Sequence, residues 1–173
     1  TVMELFGWNG ARQSPVSERQ DETNVLQPAI LHNGILSQRI TTLTVDSQFT
    51  QIALRAKSVT QLVDETFHQI LGRSPSEEER QIVSALISTG FESRIVDLTS
   101  AQREEMIYPK PAPRNLISWS NHLSKKANEI KLELRRYVQA GPEPTPELSP
   151  EWRSQMEDLV WALYNSPEFV FSP

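Results

Sequence analysis

Through most of this chain apolar side chains return every three or four positions, and proline or glycine repeatedly cuts the pattern. That spacing matches the helical period of about 3.6 residues per turn and not the two-residue alternation of a strand. The chain can leave water only by coiling, so the expected fold class is all-α: a compact helical core of short amphipathic helices, with an inserted long helix and proline-rich linkers. Each punctuation mark then dates a helix boundary, because proline lacks an N–H and glycine tolerates the conformations that end a helix.

Val25, Leu26, Ala29, Ile30 and Leu31 predict a short helix with Pro28 in its first turn, stopped at Asn33-Gly34. Leu36, Ile40 and Leu43 predict a second over about 35–44. Phe49, Ile52, Ala53 and Ala56 make one stripe over 47–57. The clearest stripe is Val59, Leu62, Val63, Phe67, Ile70 and Leu71, opened by Ser58-x-x-Gln61 as a capping box and closed by Gly72. Ser74 or Ser76 caps the next helix, with Pro75 in its first turn and Glu77, Glu78 and Glu79 at the positive end of its dipole. Ile82, Val83, Leu86 and Ile87 are its expected buried stripe, and Thr89-Gly90 stops it.

Periodicity weakens over 91–114, where Phe91 to Leu98 has room for a turn or two of helix. Two stiff proline-rich stretches, Tyr108 to Pro113 and Gly141 to Pro150, bracket the longest expected helix, 115–140. Leu116, Leu123, Ile130 and Tyr137 recur there every seven residues, with Ser120, Ala127 and Leu134 at the second seam position. A last helix begins at Ser149-Pro150, turns Trp152, Met156, Leu159, Val160 and Leu163 inward, and ends at Ser166-Pro167. No segment reads as a strand. The domain organisation expected is an irregular arm over 1–23, a helical core over 24–90 and 149–173, and an insertion over 91–148.

Composition excludes several classes of function. The net charge of −5 lacks the basic footprint of a nucleic-acid binder, and no run of about 18 apolar residues is present to span a bilayer. With no cysteine there is no disulfide, no thiolate nucleophile, no zinc–cysteine site and no covalently attached haem. The expectation is therefore no cofactor and no metal. His32, His68 and His122 have no histidine at the i+3 or i+4 positions that a helical metal site uses, which favours structural or surface roles. Phosphate-loop, dinucleotide-fold and nucleophile-elbow signatures are all missing.

The densest polar group precedes the first helix: Glu18, Arg19, Asp21, Glu22, Asn24 and Gln27. It reads either as a ligand-facing loop or as helix-start grammar, with Asp21 or Asn24 capping and Arg19 paired to a carboxylate. Glu18, Arg19, Asp21, Asn24, Gln27, His32 and Asn33 are the ligand or docking candidates. Lys125, Lys126, Lys131, Arg135 and Arg136 outnumber Glu129 and Glu133 on the long helix, which is either an anion-binding stripe or a solvated face. Of four tryptophans, two lie at helical core spacing and Trp161 falls off the inward stripe of the last helix. No initiator methionine or leader opens the chain, which is expected to be a piece of a longer protein with a natural C-terminus.

Three blocks together carry a resemblance. They are Phe6-Gly7 with Ser17 to Gly34, Leu71-Gly-Arg-Ser-Pro75-Ser-Glu-Glu-Glu79, and Leu159-Val-Trp-Ala-Leu-Tyr-Asn-Ser-Pro-Glu-Phe169. In this order, over roughly a third of the chain, they resemble the C-terminal part of the domain of unknown function 1553 family. That family occurs in large planctomycete-type proteins, often alongside cytochrome-c-like domains. The stretch 91–148 departs from the family's compact pattern. The resemblance implies an exported, periplasmic or extracellular multidomain protein, with upstream domains of the same polypeptide and a protein or polysaccharide as partners. It implies no catalytic residues, and it draws attention to Arg19, Asp21, Asn24 and Asn33-Gly34. Three functions follow as expectations: a non-catalytic module that supports or docks other domains, a contribution to the active site of a hydrolase acting on complex or sulfated polysaccharide, and an accessory role in electron transfer by a linked cytochrome.

Overall fold

A computed structural model describes residues 6–7, 26–107 and 114–170. Its helices, in chain order, are α1 (Leu26–Asn33), α2 (Ile35–Thr41), α3 (Gln48–Arg55), α4 (Val59–Leu71), α5 (Glu77–Ser88), α6 (Ser100–Ile107), α7 (Lys125–Ala140), α8 (Pro150–Tyr164) and α9 (Pro167–Val170). Among the described residues there is no strand, and one isolated antiparallel bridge pairs Ile95 with Leu148. The fold is all-α.

The chain divides into two compact units, Thr1–Ile40 and Thr41–Pro173. In the first, Gly34 joins α1 to α2: its N–H donates to the Ile30 carbonyl at 2.9 Å, and a Cβ there would collide with that same oxygen. The expected core of 24–90 therefore divides at residue 40. The second helix also stops short of 44, because Thr42 and Thr44 turn the backbone and leave Leu43 fully buried outside any helix.

The core of the second unit is α3, α4, α5 and α8, with α9 against α4 and α8. Its stripes are those the spacing marks: Phe49, Ile52, Ala53 and Ala56; Leu62, Val63, Phe67 and Ile70; Trp152, Met156, Leu159, Val160 and Leu163. Edge-on rings join them, Phe49 to Tyr164 at 6.1 Å and Phe91 to Trp152 at 6.3 Å between centroids. The indole Nε1 of Trp152 donates to the Ile87 carbonyl at 2.9 Å, tying α8 to the end of α5.

Helix starts follow the cap grammar. Ser58 Oγ accepts from Gln61 N, while Gln61 Oε1 accepts from Lys57 N rather than from Ser58, so the box closes one residue early. Ser76 is the cap of α5 in a full capping box with Glu79, which places Pro75 before the helix and not in its first turn. Gly72, at φ +69°, closes α4 in the left-handed region.

Three expectations need correction. Ile82 and Leu86 are exposed, and only Ile87 of the α5 stripe is fully buried, because α4 and α8 pack on α5 without covering the face that carries Ile82 and Leu86. The long helix begins at Lys125, capped by Ser124, and not at 115; residues 115–118 are irregular and 119–123 turn, held by serine and asparagine side chains. The stretch 91–148 is not wholly outside the core, since Phe91, Arg94, Ala127, Thr145 and Leu148 are buried. Helix α6 is an addition, opened by Thr99-x-x-Gln102, where Gln102 Oε1 accepts from Thr99 N at 3.0 Å.

Candidate functional site

Of the seven candidates from sequence, Glu18, Arg19, Asp21 and Asn24 lie outside the described residues. Gln27, His32 and Asn33 are on α1. Five positions along a helix turn about 140° at 3.6 residues per turn, so Gln27 and His32 do not share a face. No cluster of three or more metal-ligating side chains occurs among the described residues.

The polar chemistry of the second unit concentrates in two arginines. Arg94 is 5 % exposed, and its guanidinium hydrogen-bonds to backbone carbonyls while the Glu92 carboxylate acts on it through space. Its guanidinium donates to three carbonyls, Ala53 at 2.8 Å, Ala56 at 2.6 Å and Phe91 at 2.7 Å, and lies 3.8 Å from the centre of the Phe91 ring. Two of those carbonyls end α3, where the helix dipole is negative and orphan acceptors need donors. Burial pushes the guanidinium pKa down, yet arginine stays charged in proteins. Arg94 is a C-terminal cap reaching in from a distant segment. The neighbouring bonds Val96 N to Glu147 O (2.9 Å) and Ser149 N to Arg94 O (2.7 Å) hold that segment in place.

Arg73 forks between two carboxylates. It meets Glu79 at 2.8 Å through both terminal nitrogens, and Glu168 at 2.6 Å through Nε and Nη2. Those bonds hold the Glu79 carboxyl down at about 2, with help from the Ser76 N–H, and push the Glu168 carboxyl down and the Arg73 guanidinium up. With both carboxylates engaged, neither is poised to move a proton. Beside them His68 Nε2 meets Ser74 Oγ at 3.1 Å. No third group hydrogen-bonds to the His68 ring among the described residues, so this pair lacks the orienting partner of a nucleophile–base unit.

The least satisfied chemistry is apolar and lies at 114–124. Leu116, Trp119 and Leu123 are 63 %, 90 % and 84 % exposed. A local polar net shapes the segment that carries them. Asn121 Oδ1 accepts from Ser118 N at 2.7 Å, Asn121 Nδ2 donates to the Leu116 carbonyl at 3.1 Å, and Lys131 Nζ donates to the His122 carbonyl at 3.1 Å. The Trp119 and His122 rings lie 6.5 Å apart, tilted by 32°. Serine and asparagine bond their own backbone here and so break the seven-residue repeat into a knob. Helix α7 runs on from it and packs along none of the core helices. Ala127 is buried on its inward stripe, Ile130 and Leu134 are half-covered, and Tyr137 and Val138 are exposed. Sequence reasoning missed the knob because it counted the leucines and not the turn-formers between them.

Compared with protein-family models, curated proteins and solved structures, the chain matches none.

Proposed function

We propose that this chain is a non-catalytic helical module of a large exported multidomain protein, of the kind the resemblance to the domain of unknown function 1553 family implies, and that it works by docking. The observation that carries this reading is the knob: three large apolar side chains stand in water on a hydrogen-bonded segment, outside the buried cluster of the core. Exposed apolar groups gathered on one feature are the usual mark of an interaction surface, while singly scattered ones are not. The polar groups of the second unit support the same view, since Arg73, Glu79, Glu168 and Arg94 are consumed in holding helices together. The segments Leu71 to Glu79 and Leu159 to Phe169 meet through the Arg73 fork, a structural use of these charges.

Hydroxyl-radical footprinting tests the proposal. Trp119, Leu116 and Leu123 are labelled in this chain alone and in the full-length polypeptide in its native surroundings. Protection of all three in the second sample is the expected result. Equal labelling in both overturns the docking role of the knob.

A further inference from the structure

We infer that the surface this knob docks onto is an anionic lipid interface, into which Trp119, Leu123 and Leu116 insert while flanking cations meet the headgroups. The inference rests on the docking reading above and names its partner.

Three observations carry it. First, the charge around the knob opposes that of the chain. Arg114 precedes it and Lys125 and Lys126 follow it, and no aspartate or glutamate lies between Glu105 and Glu129, although the chain as a whole carries −5. An anionic surface would attract this segment and repel the remainder, turning the molecule knob-first. Second, the apolar side chains project. At 84 % and 90 % exposure, Leu123 and Trp119 line no groove that could receive a partner's side chain. A projecting tryptophan and leucine suit the boundary between headgroups and acyl chains, where an indole keeps its N–H wet and its ring dry. Third, the backbone beneath them is provisioned for a poorly hydrated place. Ser118 N, the Leu116 carbonyl and the His122 carbonyl are bonded to Asn121 and Lys131 of the same segment, and Ser124 N donates to the Asn121 carbonyl at 2.9 Å. Entry into the interface would leave these groups satisfied, which removes the usual cost of carrying irregular backbone out of water. An acidic protein would satisfy the first observation alone.

The test uses the whole chain with sedimenting vesicles of phosphatidylcholine alone and of phosphatidylcholine mixed with phosphatidylglycerol. Co-sedimentation with the anionic vesicles, a blue shift of tryptophan emission and loss of both at high salt are expected. The double variant W119S/L123S should bind the anionic vesicles about tenfold more weakly or worse, and circular dichroism with a thermal melt should show the fold intact. Trp119→Phe should keep binding and lose the blue shift. No binding to anionic vesicles, equal binding to both compositions, or an unaltered double variant overturns the lipid proposal. In that event footprinting of the full-length polypeptide without lipid separates the two readings. Protection of Trp119 there leaves docking standing with a protein as its partner, and no protection removes both.

Discussion

At the scale of single residues, Arg94 does the most. Two of its three bonds terminate α3, the third holds the Phe91 carbonyl and its plane covers the Phe91 ring, so deletion strands three carbonyls in the interior. Leaving buried acceptors unmet and opening a cavity should make Arg94→Ala cost about 3–5 kcal/mol, read as a lower urea midpoint. Arg94→Lys keeps the charge but cannot reach three acceptors with one ammonium, and should cost about 2–3 kcal/mol. A lysine variant as stable as the parent would show that charge, not the fork, is what α3 needs. Arg73 governs the acid response instead. It holds Glu79 at about 2 against an ordinary value of 4.5. A carboxyl lowered in the folded state stabilises it above the unfolded value, and that contribution drains away as pH falls toward the folded one. The melting temperature should therefore decline between pH 4.5 and about 2. Arg73→Gln should show a lower melting temperature at neutral pH and a shallower decline across that window. Parallel curves would mean that the Ser76 N–H alone accounts for the lowered Glu79 value.

Helix ends are the next scale, where local chemistry and tertiary demand can be separated. Ser76→Ala removes the half of the α5 capping box in which Ser76 Oγ accepts from Glu79 N, keeps the backbone N–H that donates to Glu79, and should cost about 1 kcal/mol in chemical denaturation. Gly72→Ala meets nothing within 4 Å, so its cost is conformational alone, about 1 kcal/mol for a side chain held at φ +69°. Gly72→Asn should recover part of that, since asparagine tolerates the left-handed region better. These elements were legible because their signals are local: a serine three residues before a glutamate, a glycine after a stripe. The stripes of α3, α4 and α8 were legible for the same reason. What could not be read was anything set by residues far apart in the chain. Arg94 sits in a stretch without periodicity, and only the arrival of α3 makes it a cap. Leu43 leaves its helix because Glu157 accepts its N–H at 2.9 Å and its carbonyl accepts from Thr145 N at 2.7 Å, partners over a hundred residues away. The knob is a different failure. Ser118, Ser120, Asn121 and Ser124 are turn-formers visible in the sequence, and the seven-residue recurrence of leucine outweighed them wrongly. Of the candidate site, the charge pattern on Lys125 to Arg136 was legible, and the exposure of Trp119 was not.

For the whole molecule, the question is how much chain the core needs. The second unit, 41–173, contains every residue of the hydrophobic cluster from Leu43 to Leu163. It also contains both arginine centres and the pairing of 94–96 with 147–149. Its size, well above the roughly 40 residues below which a core usually needs staples, is ample for independent folding. Yet its core is assembled from ends: α3 to α5 come early, α8 and α9 come late, and the two are clasped through Arg94, Trp152 and Arg73. That connectivity makes the unit one cooperative body and not two, because neither half closes its stripes alone. A fragment of residues 41–173 should accordingly unfold in one transition, with calorimetric and van't Hoff enthalpies in agreement. A fragment ending at residue 148 lacks α8 and should show helical circular dichroism without a cooperative melt, exposing the face that Met156, Leu159 and Val160 cover. A sharp melt from that shorter fragment would mean that α3 to α5 close without α8, and that the late helices are an accessory to the core, not a wall of it.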